Sequence, residues 1–253
     1  MFSMSPHQSP GMTPVSPDVR PAPQRAALRA ERLSDAVVHL IGLAVVALAV
    51  PALIVLTLTA RGEPWAVLGV SVYGGALAAM IACSALYHLT PDAAWRWLYR
   101  RLDHAAIYLK IAGTYMPFTM ISGQGMALTA GLWGAAAVGV GLKMAAPDRF
   151  RWLALALYLG MGWAVVLAGQ AVIAALPGPV IALMLVGGLI YTVGVAFFLW
   201  ETLPFNTAIW HGFVLVASLT FYAAVVTLVL WGAGSEGIAA VPAGSGDLLQ
   251  PFL

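Results

Sequence analysis

The chain is 253 residues long, 61% hydrophobic and 9% charged, with a formal net charge of +2. Soluble domains carry about 25% charged residues, so these proportions exclude a soluble globular protein and leave an all-α bundle embedded in a membrane. The net charge gives no reason to expect a nucleic-acid partner, and a single cysteine, Cys83, excludes intrachain disulfides and cysteine-based metal knuckles.

Residues 1–24 are rich in Ser, Pro and Met and contain Pro6, Pro10, Pro14, Pro17, Pro21 and Pro23. Such a segment buries too little apolar surface to offset its ordering entropy, so it is expected to be a disordered tail. It has no apolar core of the kind a signal peptide carries, and His7 within it is discounted as a ligand. Residues 25–232 then form the membrane domain. Its apolar runs predict helices at about Leu33–Thr59, Trp65–Leu89, Asp103–Ser122, Met126–Ala145, Arg151–Ala174, Pro179–Trp200 and Ala208–Trp231, a bundle of seven transmembrane helices. Each run is near the roughly 20 residues that a hydrocarbon core requires. The connections carry turn formers, among them Gly62 and Pro64, Gly123 and Gly125, and Gly178 and Pro179. Residues 233–253 read as a flexible tail.

Orientation follows from the basic residues. Arg20, Arg25, Arg29 and Arg32 precede the first helix. Arg96, Arg100 and Arg101 lie in the second connection, and Lys143, Arg149 and Arg151 surround the fourth. The alternate connections offer only Arg61. This bias predicts a cytoplasmic N-terminus and, with seven spans, a C-terminus outside.

That parity gathers the chemistry. Asp35 and His39 open the first helix, Ser84 and His88 close the second, Asp103 and His104 open the third, and His211 opens the seventh. All would then share one layer near the cytoplasmic face, and ionisable groups at membrane depth usually face a functional interior. Asp35 and His39 share a helix face, as do Ser84 and His88, so each pair can hold an imidazole in one tautomer. Lys110 lies seven residues after Asp103 on the same face, so its long stem is expected to return the ammonium to that carboxylate. The glycines at 134, 139, 141, 187, 188 and 194 suit close helix packing.

Several segments resemble the haemolysin III family. They are D-A-V-V-H-L-I-G at Asp35–Gly42, S-A-L-Y-H at Ser84–His88, L-D-H with I-A-G-T-Y-M-P-F across Leu102–Phe118, G-G-L-I-Y-T-V-G at Gly187–Gly194 and A-I-W-H-G-F-V-L at Ala208–Leu215. That family is the bacterial branch of the progestin and adipoQ receptor superfamily. The resemblance implies a multi-pass protein of the bacterial inner membrane with seven helices and a cytoplasmic N-terminus. It also implies zinc near the cytoplasmic side, with His88 and His211 as metal ligands, Asp103 as partner of the metal-bound water and Ser84 in the same motif as His88. Asp35, His39, His104 and Lys110 would then act in support.

Two positions depart from the family pattern. Thr207 stands where the last helix usually carries a further histidine, and Phe221 where many members have another. Zinc is therefore expected to bind weakly in the native sequence and more tightly after Thr207→His. Lys110 would supply some of the positive charge of the missing ion. Two functional classes follow. One is a haemolysin III-type protein acting in membrane lipid or energy homeostasis, or by cytolysis. The other is a ceramidase-like, metal-dependent hydrolase of a lipid amide or ester. In both, the bilayer is the partner, with a lipid as ligand or substrate. A transporter is a third class, but no paired broken helices announce one.

Overall fold

The computed structural model describes residues 22–90, 94–146 and 149–239, with side chains described from Pro23 to Trp231. The reading of residues 1–21 and 240–253 as tails lies outside these residues. Among the described residues all regular structure is helical, in nine segments: α1 (Ala22–Ala60), α2 (Pro64–Leu89), α3 (Arg96–Ser122), α4 (Met126–Ala145), α5 (Arg151–Gly162), α6 (Ala164–Ala168), α7 (Gln170–Ala175), α8 (Gly178–Leu199) and α9 (Asn206–Ala239). The chain is an all-α polytopic membrane protein. Five of these helices, α1, α2, α4, α8 and α9, are long and apolar enough to cross a bilayer. Helix α1 starts before the apolar run does, inside the segment read as tail, and α9 continues past Trp231 to Ala239.

Local chemistry sets the ends. Pro64 opens α2, where its missing N–H costs no helical hydrogen bond. Helix α3 stops at Gly123, whose φ of 66° is the left-handed conformation that ends many helices. Side chains on the outer faces, such as Leu33, Leu40 and Leu48 of α1 and Leu185 and Leu189 of α8, are exposed and apolar, as a lipid-facing surface requires.

Helix α3 is 27 residues long but carries Arg96, Arg100, Arg101, Asp103 and Lys110, which is why its hydropathy falls short of the other five. It tolerates them because it is the central helix. Helices α2, α4, α5, α7 and α9 all pack on it, and an unbroken row from Ala112 to Thr119 is buried. Its side chains therefore face protein rather than lipid. Close approach to α4 depends on Gly139, where any Cβ would collide with the ring of Tyr108.

The run 151–174, expected as one helix, is instead broken into α5, α6 and α7 at Trp163 and Gly169. A tertiary hydrogen bond meets the first of these breaks. The one proton of the Tyr115 hydroxyl of α3 is shared between the carbonyls of Met161 and Gly162, each 2.8 Å away, and its oxygen accepts from Val165 N–H at 3.4 Å. Backbone groups inside a membrane must be satisfied by protein, and here one phenol supplies what the interrupted helix lost.

Candidate metal centre

Three imidazoles meet at one end of the bundle. His39 comes from α1, His88 from the last turn of α2 and His211 from near the start of α9. Their ring centroids are 4.4 Å apart for His39–His211, 4.6 Å for His88–His211 and 5.1 Å for His39–His88. Asp35, one turn before His39, faces all three. Its Oδ1 is 2.6 Å from His211 Nδ1, and its Oδ2 is 3.0 Å from His88 Nδ1. Its backbone carbonyl is 2.8 Å from His39 Nδ1.

These contacts fix the protons. A carboxylate and a carbonyl only accept, so each Nδ1 must donate, and each neutral ring keeps a bare lone pair on Nε2. For His39 that lone pair accepts from the Ser84 hydroxyl at 3.1 Å. Among the described residues the Nε2 lone pairs of His88 and His211 stay open, and that of His39 opens only when the Ser84 hydroxyl turns away. Three such nitrogens, with carbonyl or carboxylate partners behind the rings, are the donor set that a divalent transition metal takes. The spacing agrees. Zinc–nitrogen bonds of about 2.0–2.1 Å in a tetrahedral arrangement put ring centres about 5 Å apart. One donor atom from each of Asp35, His39 and His211 falls within 4.8 Å of the others, a set that takes in the carboxylate and does not include His88.

The cluster forms part of the wall of a cavity of about 670 Å³ that runs from His39, His88 and His211 toward Phe118 and Met184. This lies within the roughly 300–1,000 Å³ typical of small-ligand sites. Asp103 and His104 also line it, as do Ser84, Thr207 and Lys110.

Not every sequence-predicted residue takes its expected place. The carboxylate that touches the imidazoles is that of Asp35. Asp103 stands on the same cavity wall and meets His104 Nδ1 at 3.6 Å. His104 Nδ1–H itself donates to the Arg100 carbonyl at 2.7 Å, and the His104 carbonyl accepts from the Tyr158 hydroxyl at 2.8 Å. Thr207 is exposed, and its hydroxyl bonds Asn206 Oδ1 at 3.3 Å. The third imidazole comes from α1, not from α9. Lys110 does not pair with Asp103. Its Nζ lies 4.1 Å from the ring centroid of Tyr191 and 5.2 Å from that of Phe221. Its stem could have turned either way, and the aromatic faces of α8 and α9 are what it meets at that depth.

The family model described as Haemolysin-III related matches residues 29–222. The chain belongs to the haemolysin III family. Hemolysin-3 of Bacillus cereus is 39% identical to it over 205 residues, covering 79% of this chain and 92% of the relative. The Hemolysin-3 homolog of Bacillus subtilis (strain 168) is 34% identical over 201 residues, covering 78% and 93%. The matched region of this haemolysin III protein contains the whole cluster, from Asp35 to His211. What the sequence did not announce is the central place of Asp35, and the parts played by Tyr158 and Tyr191. Their only signal was a phenol within an apolar run, which also suits plain packing.

Proposed function

We propose that this haemolysin III protein is a zinc-dependent hydrolase that cleaves an amide or ester in an amphiphilic molecule drawn from the bilayer. The observation that carries this reading is the convergence of His39, His88 and His211 on one cavity, each with Nδ1 held by an acceptor of Asp35. Those three residues would hold the ion, which when bound supplies an activated water and polarises a carbonyl. The chain's own residues do the rest. Asp35 orients His88 and His211 and balances their charge. Ser84 caps the His39 Nε2 until an ion takes its place, and the Asp35 carbonyl on Nδ1 keeps the ring in position. Asp103, on the same wall, accepts the proton that a hydrolytic water gives up. The apolar walls at Met80, Ile107 and Met184 take the chain of the substrate and keep bulk water away.

In this reading the bundle has seven crossings, with α3 as the third and α5, α6 and α7 together as the fifth. The metal centre lies on the cytoplasmic side of the inner membrane and the C-terminus outside. The test is metal analysis of the purified chain beside His88→Ala, with hydrolysis of a short-chain ceramide followed in both. Near-stoichiometric zinc and turnover, both lost in His88→Ala, are expected. Equal metal content in the two proteins would sink the proposal.

A second reading is favoured by the names of the Bacillus relatives, which are called hemolysins. Here the protein acts on membranes without turnover, by lysis or in lipid or energy homeostasis. Release of haemoglobin from erythrocytes that is unchanged in His88→Ala would favour it.

A further inference from the structure

Lys110 is 4% exposed and lies in the middle of α3, about two turns or roughly 10 Å along the helix from Asp103. Among the described residues its ammonium forms no ion pair and no hydrogen bond. Its neighbours are the π faces of Tyr191 and Phe221. Both ring positions are fixed by their surroundings. The Tyr191 hydroxyl is 2.6 Å from Ser218 Oγ. The Phe221 ring lies against Gly187, where a Cβ would come within 2.8 Å of it. Lys110, Tyr191 and Phe221 all belong to the wall of the cavity that holds the histidine cluster.

A lysine at this depth keeps its charge only beside a counter-charge, because aromatic faces recover only part of the lost hydration. The described residues offer none at this point, and the open side of the site is the cavity. We propose that the Lys110 ammonium, held between the Tyr191 and Phe221 rings, binds the carboxylate of an amphiphilic ligand whose apolar body fills the cavity. A carboxylate suits the site better than a phosphate. One ammonium matches a single negative charge and supplies up to three N–H donors. A phosphate monoester carries about −1.5 to −2 and three strong acceptor oxygens. This site is separate from the imidazoles and does not require a metal. It also bears on the ligand's far end: a fully apolar tail running down the cavity would leave the ammonium uncompensated, so an acidic group on that end is selected.

The test uses the full-length chain in detergent and radiolabelled dodecanoate in equilibrium dialysis, with and without a chelator. Saturable binding is expected in both conditions and in His88→Ala. It should weaken at least tenfold in Lys110→Met and recover in Lys110→Arg. Dodecanol should not compete, and dodecyl phosphate should compete more weakly than dodecanoate. Dodecanoate should raise the melting temperature of the native chain and leave that of Lys110→Met unmoved. If Lys110→Met fails to fold, Lys110→Gln is read in its place. Unchanged affinity in these variants would overturn the proposal. Loss of binding on chelation would place the carboxylate at the imidazoles and overturn it too, as would tighter binding of dodecyl phosphate. Because the assay runs without metal or turnover, its failure is distinct from failure of the hydrolase reading.

Discussion

Asp35 uses both of its carboxylate oxygens on imidazoles, one for His211 and one for His88, and its carbonyl on a third. Neither acid that lines the cavity, Asp103 or Glu201, does this. Removing it frees two rings to turn, and loss of such a partner typically costs 10–100-fold in metal affinity. Asp35→Ala is therefore expected to weaken zinc by about that factor in a calorimetric titration, without removing any of the three rings. The same geometry revises what Thr207→His should do. With His39 already supplying the third ring, that substitution should add little on its own. In a His39→Ala background it should restore much of the lost affinity, since position 207 is one turn from His211. A large gain in the native background would show that His39 is not a ligand. The spacing of Asp35 to His39 and of Ser84 to His88 was legible in the sequence, and so was their common layer. That Asp35 rather than Asp103 meets the rings was not, because each acid sits at the right depth. Only the rotation of α1 and α3 about their own axes separates them.

Along the elements, the most informative feature is the interruption between α5 and α7. Nothing in the run 151–174 forecasts it, since Gly160, Gly162 and Gly169 are ordinary in membrane helices and the run is apolar throughout. The break at Trp163 is met by a hydroxyl from another helix, which a local pattern cannot contain. Tyr115→Phe keeps the ring and removes that hydroxyl, leaving the Gly162 carbonyl without its side-chain donor and the Met161 carbonyl with the Trp163 N–H alone. A loss of about 1–3 kcal/mol is expected for buried groups left unpaired, read as a lower midpoint in detergent unfolding. A variant as stable as the native chain would mean that water or α5 itself supplies the donor. Lys110 teaches the complementary lesson. Its seven-residue offset from Asp103 does place both on one face of α3, yet a long flexible stem can reach partners on two sides. Helix periodicity fixes where a side chain starts, not where it ends.

At the scale of the whole molecule, the helical class and the polytopic character were readable from low charge together with apolar runs of about 20 residues, since barrel strands would alternate apolar and polar positions. The number of crossings is less direct, since α3 trades apolarity for burial among its neighbours. With seven crossings and the basic connections inside, an alkaline phosphatase fusion after Trp231 should be active and a green fluorescent protein fusion there dark; the reverse would remove one crossing. The contact between Asp35 and His211 joins residues 176 positions apart in sequence, from the first helix and the last. The rings on α1 and α2 emerge from the ribosome early, yet they remain two-thirds of a site until α9 has entered the membrane. A chain cut before Asn206 has every other residue of the cluster and should hold no tight ion. Metal retention is thus a record of completed biosynthesis, and an ion bound there would act as a clasp on α9, the last piece to arrive.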